Sequence, residues 1–174
     1  MSIFTQEHLD IRDKYGTTQK ANYWLNTLDT EKLDTRMIQL IKSIGYFFFA
    51  TSSKDGRVNV NFKGSDNKKL LKVLDKNTIV FPDYNGNGIL HSIGDIQTNP
   101  NVGLLIIDFS RDVRIKINGR ATIIDDKSEI VKYLDIFDSF EFERLIKIDI
   151  DYVLPNCSNK LHVVRDDILA KELR

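Results

Sequence analysis

Between residues 145 and 154 apolar and polar side chains alternate, setting Ile146, Ile148, Ile150, Tyr152 and Leu154 on one face. A period of two sustained over that length is the mark of a strand with one buried face, so this chain is committed to a sheet. Shorter stretches upstream repeat the signal. Tyr46–Ser52 is aromatic-rich, Arg57–Phe62 sets Val58 and Val60 against Asn59 and Asn61, and Asn77–Phe81 is a brief apolar run. Val102–Phe109 is nearly continuous in apolar residues, as in a strand buried on both faces, and Val113–Ile124 alternates through Ile115, Ile117, Ala121 and Ile123.

Turn chemistry sets how these strands connect. Asp55-Gly56 tolerates positive φ and predicts a β-hairpin over residues 46–62. Pro82 cannot donate to a ladder and is expected to end its strand or bend it. Gly119, inside an alternating run, predicts a bulge or barrel corner. Leu70–Leu74 reads as a helical turn, the stretch from Ile89 to Ile96 as a helix ended by Asn99-Pro100, and Ser128–Phe137 as another helix. Leu161–Val164 reads as a last short strand, with a terminal helix over Asp166–Leu173. About six strands joined by turns, without regular β-α alternation, disfavour a doubly wound sheet. They predict a mainly β fold: a six-stranded antiparallel sheet closed into a small barrel with flanking helices.

The first 45 residues are helical in pattern and polar. Thr5 can cap a short helix ended by Gly16, Thr18–Leu28 carries Tyr23, Trp24 and Leu28 at helical spacing, and Asp34 can cap a helix with Met37, Ile38, Ile41 and Ile44 in one stripe. With 174 residues the expectation is a single domain, 1–174, with its helical segment at 1–45.

Lys and Arg number 25 and so do Asp and Glu, which predicts no overall attraction to nucleic acid or to an anionic membrane. The opening residues show no basic-then-apolar leader, and the longest apolar runs fall far short of the ~20 residues that span a bilayer. A cytoplasmic setting is expected.

Chemistry-bearing residues are sparse. His8, His91 and His162 make no i,i+3 or i,i+4 pair and no metal motif. Cys157 has no disulfide partner, and Lys160 is the nearest charge that could activate it. The acidic pairs Asp125-Asp126, Asp149/Asp151 and Asp166-Asp167 fit solvated faces, and no catalytic dyad stands out. The stretch DYNGNG, residues 83–88, is more informative, because it joins a strand to a helix. Glycines there let amides approach a ligand, and a following helix N-terminus offers free donors to an anion. Lys63 and Arg114 could add charge if the fold brings them to that turn.

Taken in order, FFFATSSKDGRV, NVNFKG, TIVFPDYNGNG, IQTNPNVGLLIIDF and VRIKINGRATI resemble the pyridoxamine 5'-phosphate oxidase-like family of FMN-binding split β-barrels, over residues 34–125. The resemblance implies a homodimer with FMN in a cleft at the interface. By match to the family's positions, Asn61, Phe62, Lys63 and Gly64 would run along the flavin and ribityl chain. Pro82 and Asp83 would contact it from the next strand, Asn87 and Gly88 would take its phosphate, and Arg114 matches a phosphate-side position.

Two departures qualify it. The oxidases proper carry adjacent Arg and Lys in the phosphate turn, where this chain has Gly88 and Ile89, and a C-terminal Trp and Arg-Leu-x-Pro motif that KLHVVRDDILAKELR lacks. Vitamin B6 oxidation is therefore not expected. What the resemblance implies is an oxidoreductase acting on a small molecule through FMN, with NAD(P)H or a small substrate as electron donor. The alternatives are a split barrel holding another flat cofactor, haem or a deazaflavin, with His91 or His162 as axial ligand, and a non-enzymatic flavin-binding protein.

Overall fold

The computed structural model describes residues 4–28, 30–65, 70–84, 86–137, 142–156 and 159–172. Three helices come first: α1 (Gln6–Lys14), α2 (Thr18–Asn26) and α3 (Thr35–Ser43). Only α3 buries side chains, Met37, Leu40 and Ile41, and its first turn is held by the Asp34 carboxylate, which accepts from the Met37 amide at 2.8 Å. Thereafter come β1 (Tyr46–Ser52), β2 (Val58–Gly64), β3 (Lys72–Val73), β4 (Thr78–Tyr84), α4 (His91–Thr98), β5 (Asn101–Asp108), β6 (Val113–Ile124), α5 (Lys127–Ile130), a 3-10 turn (Val131–Ile136), β7 (Phe142–Asn156) and α6 (Leu161–Glu172).

The strands form one antiparallel sheet in the order β2-β1-β5-β6-β7-β4-β3. Three strands separate β1 from β4 in that order, yet the Phe81 ring of β4 meets Phe47 and Phe49 of β1 edge-on, at centroid distances of 5.1 and 5.2 Å. The sheet therefore curls until its two sides share one core, which is the barrel the strand order demanded. Leu33, Ile41, Ile79, Ile117, Ile146 and Ile148 fill that core.

The structure differs from the sequence expectation at four places. Lys72 and Val73 pair with Val80 and Ile79, so a two-residue strand replaces the expected helical turn and the described sheet has seven strands rather than six. Residues 161–164 open α6 and do not form a strand. Pro82 does not end its strand: it sits opposite Leu145, and a register shift follows between Asp83 and Tyr84. The fourth difference is on β7. Ile150 pairs with Gly119 and Tyr152 with Asn118, leaving Asp151 as an extra residue. That bulge reverses the alternation, so Val153 is fully buried while Tyr152 and Leu154 turn away from the face of Ile146. Gly119 is the residue that permits it, since a Cβ there would lie 2.3 Å from the Asp149 carbonyl oxygen.

No described helix is long and apolar enough to cross a membrane.

Candidate functional site

β2 is an edge strand whose side chains split between two environments. Asn59, Asn61 and Lys63 face α4 and β4, and Val58, Val60 and Phe62 face outward. Asn61 Nδ2 donates to Ser92 Oγ at 2.8 Å, and Asn59 Nδ2 donates to the same oxygen and to Thr51 Oγ1, both at 3.2 Å. Thr51 in turn donates to Asp95 Oδ2 at 2.6 Å. Ser92 and Asp95, both buried, thus tie the first two turns of α4 to β1 and β2. With two amides on Ser92 Oγ its lone pairs are used, and the remaining bonding capacity of that hydroxyl is its proton.

The second tie is ionic. Lys63 Nζ lies 3.1 Å from Asp83 Oδ1, and Arg144 Nη1 of β7 lies 3.8 Å from Asp83 Oδ2. Asp83 is 8% exposed, so burial of its carboxylate is tolerated because two cations flank it.

Between these ties the chain passes through the glycine turn. Gly88 has φ +75°, a left-handed conformation that glycine adopts at no steric cost, and Leu90 follows at φ +51°. Asn87 Oδ1 accepts from the Ile89 amide at 3.0 Å. Leu90, the N-cap residue of α4, makes no side-chain cap. The amides of His91, Ser92 and Ile93 are the donors that a helix start leaves without an intrahelical partner. The turn and the helix start border a cavity of about 230 Å³ lined by Asn61, Lys63, Asp83, Tyr84, the 86–90 turn and residues 91–93. Its size is below the ~300 Å³ at which pockets begin to hold a whole drug-sized ligand, so it suits a polar end-group of a larger molecule.

Of the nine residues singled out in the sequence, Asn61, Lys63, Asp83, Asn87 and Gly88 line this cavity. Phe62 and Gly64 point to the other side of β2, into a second cleft. Pro82 is buried in β4 and lines neither.

Arg114 does not come to the glycine turn, and the expected convergence of Lys63 and Arg114 fails within one chain. Arg114 pairs with Asn156 at one end of β7 while Asp83 pairs with Arg144 near the other, twelve positions (156 − 144) and up to ~40 Å of strand away. The cation that joins Lys63 is Arg144. Sequence reasoning also missed Ser92; its place in the first turn after the glycines was the available signal. His91 lines the cavity with Nε2 3.9 Å from Asp95 Oδ2, and His162 is an exposed residue of α6. Cys157 lies outside the described residues. Among the described residues no cluster of three His, Cys, Asp or Glu could hold a metal ion.

A curled antiparallel sheet with flanking helices and a cavity at the start of α4 defines a split-barrel protein. The family model described as pyridoxamine 5'-phosphate oxidase matches residues 33–155, well over half of the chain, and the chain belongs to that family. Among solved structures, a protein of Lactobacillus delbrueckii described as a pyridoxamine 5'-phosphate oxidase shares 22% identity at a TM-score of 0.59, covering 73% of this chain and 97% of its own. HupZ of Group A Streptococcus shares 18% identity at a TM-score of 0.56, covering 71% of this chain and 93% of its own. At these identities the likeness is one of fold. A search of the curated proteins finds no match.

Proposed function

We propose that this chain is an FMN-binding flavoprotein and an oxidoreductase acting on a small molecule. The observation that carries the reading is the cavity of about 230 Å³ at the start of α4, lined by Lys63 and by His91, Ser92 and Ile93 of the first turn. That donor set fits a phosphoryl dianion: helix-start amides and a hydroxyl supply hydrogen bonds, and the helix dipole and Lys63 supply positive potential. β2 is an edge strand of the described sheet, and backbone N–H and C=O groups on the side with no strand partner among the described residues suit the polar edge of a flat heterocycle. Family membership supports the same cofactor.

When bound, FMN supplies the two-electron redox centre. The chain's own residues bind and orient. Asn59 and Asn61 fix the Ser92 oxygen so that its proton is the group left to give. Asp83 holds the Lys63 ammonium at the cavity wall. With Lys63 already paired, much of the dianion's stabilisation falls to neutral donors.

In the proposed working form two copies associate in the cytoplasm, with NAD(P)H or a small substrate as electron donor. Val58 and Val60 on the edge strand are well exposed, and an apolar sheet face of that kind calls for a cover; a two-fold dimer is the simplest closed arrangement.

The test is to purify the protein and record its absorbance. Flavin bands in the isolated protein, or tight binding of added FMN followed by its reduction by NADH or NADPH, are expected. A colourless protein that does not take up FMN overturns the proposal.

A further inference from the structure

The cavity at the start of α4 is short of positive charge for a phosphoryl group. A phosphate monoester carries close to two negative charges at pH 7. Lys63, which lines the cavity, is paired with Asp83, and Arg144 lies on the other side of that same carboxylate. Two cations and one carboxylate leave a single net positive charge. The turn from Asn87 to Leu90 adds none.

One ionisable side chain bordering the cavity is still unused. His91 is the first residue of α4 and lines the same space. Its side chain is 60% exposed, and its Nε2 lies 3.9 Å from Asp95 Oδ2 one turn along the helix. Asp95 is 5% exposed and accepts from the Thr51 hydroxyl at 2.6 Å. Among the described ion pairs His91 is its only cation. A buried carboxylate so sparingly compensated favours a positive charge beside it. The carboxylate is also tied to the anion site. Asn59 donates both to Ser92 Oγ and to Thr51 Oγ1, so one hydrogen-bonded chain runs from Ser92 through Asn59 and Thr51 to Asp95.

The groups that face α4 from its neighbours offer no substitute. β2 and β4 bring Lys63, Asp83 and Tyr84 to the cavity, and β1 brings Thr51 to Asp95. β6 also packs on α4, and its buried positions, Ile115, Ile117, Gly119, Ala121 and Ile124, carry no ionisable group. Histidine is the side chain whose charge ordinarily changes between about pH 5 and 8.

We propose, on the reading of this cavity as the FMN phosphate site, that His91 is its proton-controlled ligand: the imidazolium, held beside Asp95, binds the phosphoryl dianion, and the cofactor enters with uptake of a proton from solution. No covalent bond forms or breaks, and the proton comes to rest on the imidazole. Where the free protein carries a neutral His91, that proton has to be drawn from the medium. Affinity for the dianion then falls as pH rises, by up to about tenfold per pH unit. The site takes the phosphorylated flavin preferentially at the acid end of its range.

The test is calorimetric titration of the full chain with FMN and with ribose 5-phosphate between pH 7 and 8.5, each in two buffers of different ionisation enthalpy. Phosphate monoesters are largely dianionic above pH 7, so proton uptake there reports on the protein. Net uptake of part of a proton is expected with both ligands, with affinity falling at least about threefold across the range. His91→Gln should abolish both effects and weaken FMN at pH 7 about tenfold, as loss of a charge-assisted contact does. His91→Arg, a permanent cation, should hold FMN within about threefold of the unaltered protein at pH 7 and remove the pH dependence, a rescue that a purely structural histidine would not show. FMN binding without proton uptake, or with uptake that His91→Gln leaves unchanged, overturns the inference and leaves the flavin reading standing. Equal uptake with riboflavin, which has no phosphate, overturns it as well. Uptake with ribose 5-phosphate but no binding of FMN supports the histidine's role and removes the flavin reading. No binding of either phosphate ester overturns both.

Discussion

Lys63 Nζ sits 3.1 Å from Asp83 Oδ1, joining β2 to β4, two strands that never pair in the sheet. With the contacts of Phe81 on Phe47 and Phe49, this ion pair closes the mouth of the barrel where its open edge needs a tie. Asp83→Ala leaves Lys63 and the largely buried Arg144 side by side without their shared anion. A loss of about 2 kcal/mol is expected, because removing one member of a buried set costs more than the intact set contributes, with a discount for the partial exposure of Lys63. Urea denaturation measures it; a change under ~0.5 kcal/mol would contradict the closing role.

Ser92 tests the anion site by comparing a ligand that carries the phosphate with one that lacks it. Ser92→Ala should lower the affinity for FMN about tenfold while leaving that for riboflavin, which has no phosphate, within about twofold. Equal losses for both ligands would mean the cavity does not receive the phosphoryl end.

Gly119→Ala forces a methyl group against the Asp149 carbonyl at the β7 bulge. The backbone must give way, and a cost of ~3 kcal/mol is expected. For a chain of this size that is roughly a 6–12 °C drop in Tm by scanning calorimetry. Gly86→Ala, where a Cβ meets nothing within 4 Å, is the matched control.

Asp108 makes stability depend on acid. Burial alone would raise its carboxyl, but hydrogen bonds from Ser110 and Arg111 hold it below the ordinary value, so the unfolded chain takes up its proton first. Its contribution is fully present above about pH 4, the unfolded value, and drains away as pH falls through the lower folded value. Asp108→Asn should therefore lower stability at pH 7 yet flatten the decline below about pH 4, as followed by urea midpoints. Parallel curves for the two proteins would rule this out.

Two chains of 20.1 kDa give a particle near 40 kDa for the proposed dimer (2 × 20.1). Light scattering checks it, and Val60→Arg, which places a charge on the exposed edge-strand face, should shift the mass toward one chain. A 20 kDa particle for the unaltered protein would remove the dimer from the proposal.

Period-two alternation, the Asp55-Gly56 turn and the Asp34 cap were enough to locate the long strands, the first hairpin and α3, because each depends on neighbours within a few residues. The same local reach placed Asn87 and Gly88 just ahead of a helix start. What local pattern could not carry was the bulge at Asp151. One extra residue reverses which side chains face the core, and only the partner strand decides whether a residue is extra. It also could not distinguish Arg114 from Arg144 as the cation near Asp83. Both lie on alternating strands, and their distance from the glycine turn depends on which ends of β6 and β7 meet β4.

By itself, then, this sequence determined a mainly β, antiparallel barrel class and a glycine turn running into a helix, since propensity, alternation and turn chemistry act over short spans of chain. The tertiary structure alone decided that Lys63, Asp83 and Arg144 meet, that Asn59 and Asn61 converge on Ser92, and that Phe62 turns its ring away from them. The reason is geometric: those contacts join residues about 20 to 80 positions apart, and the curl and register of the sheet, properties of all its strands together, set which of them touch.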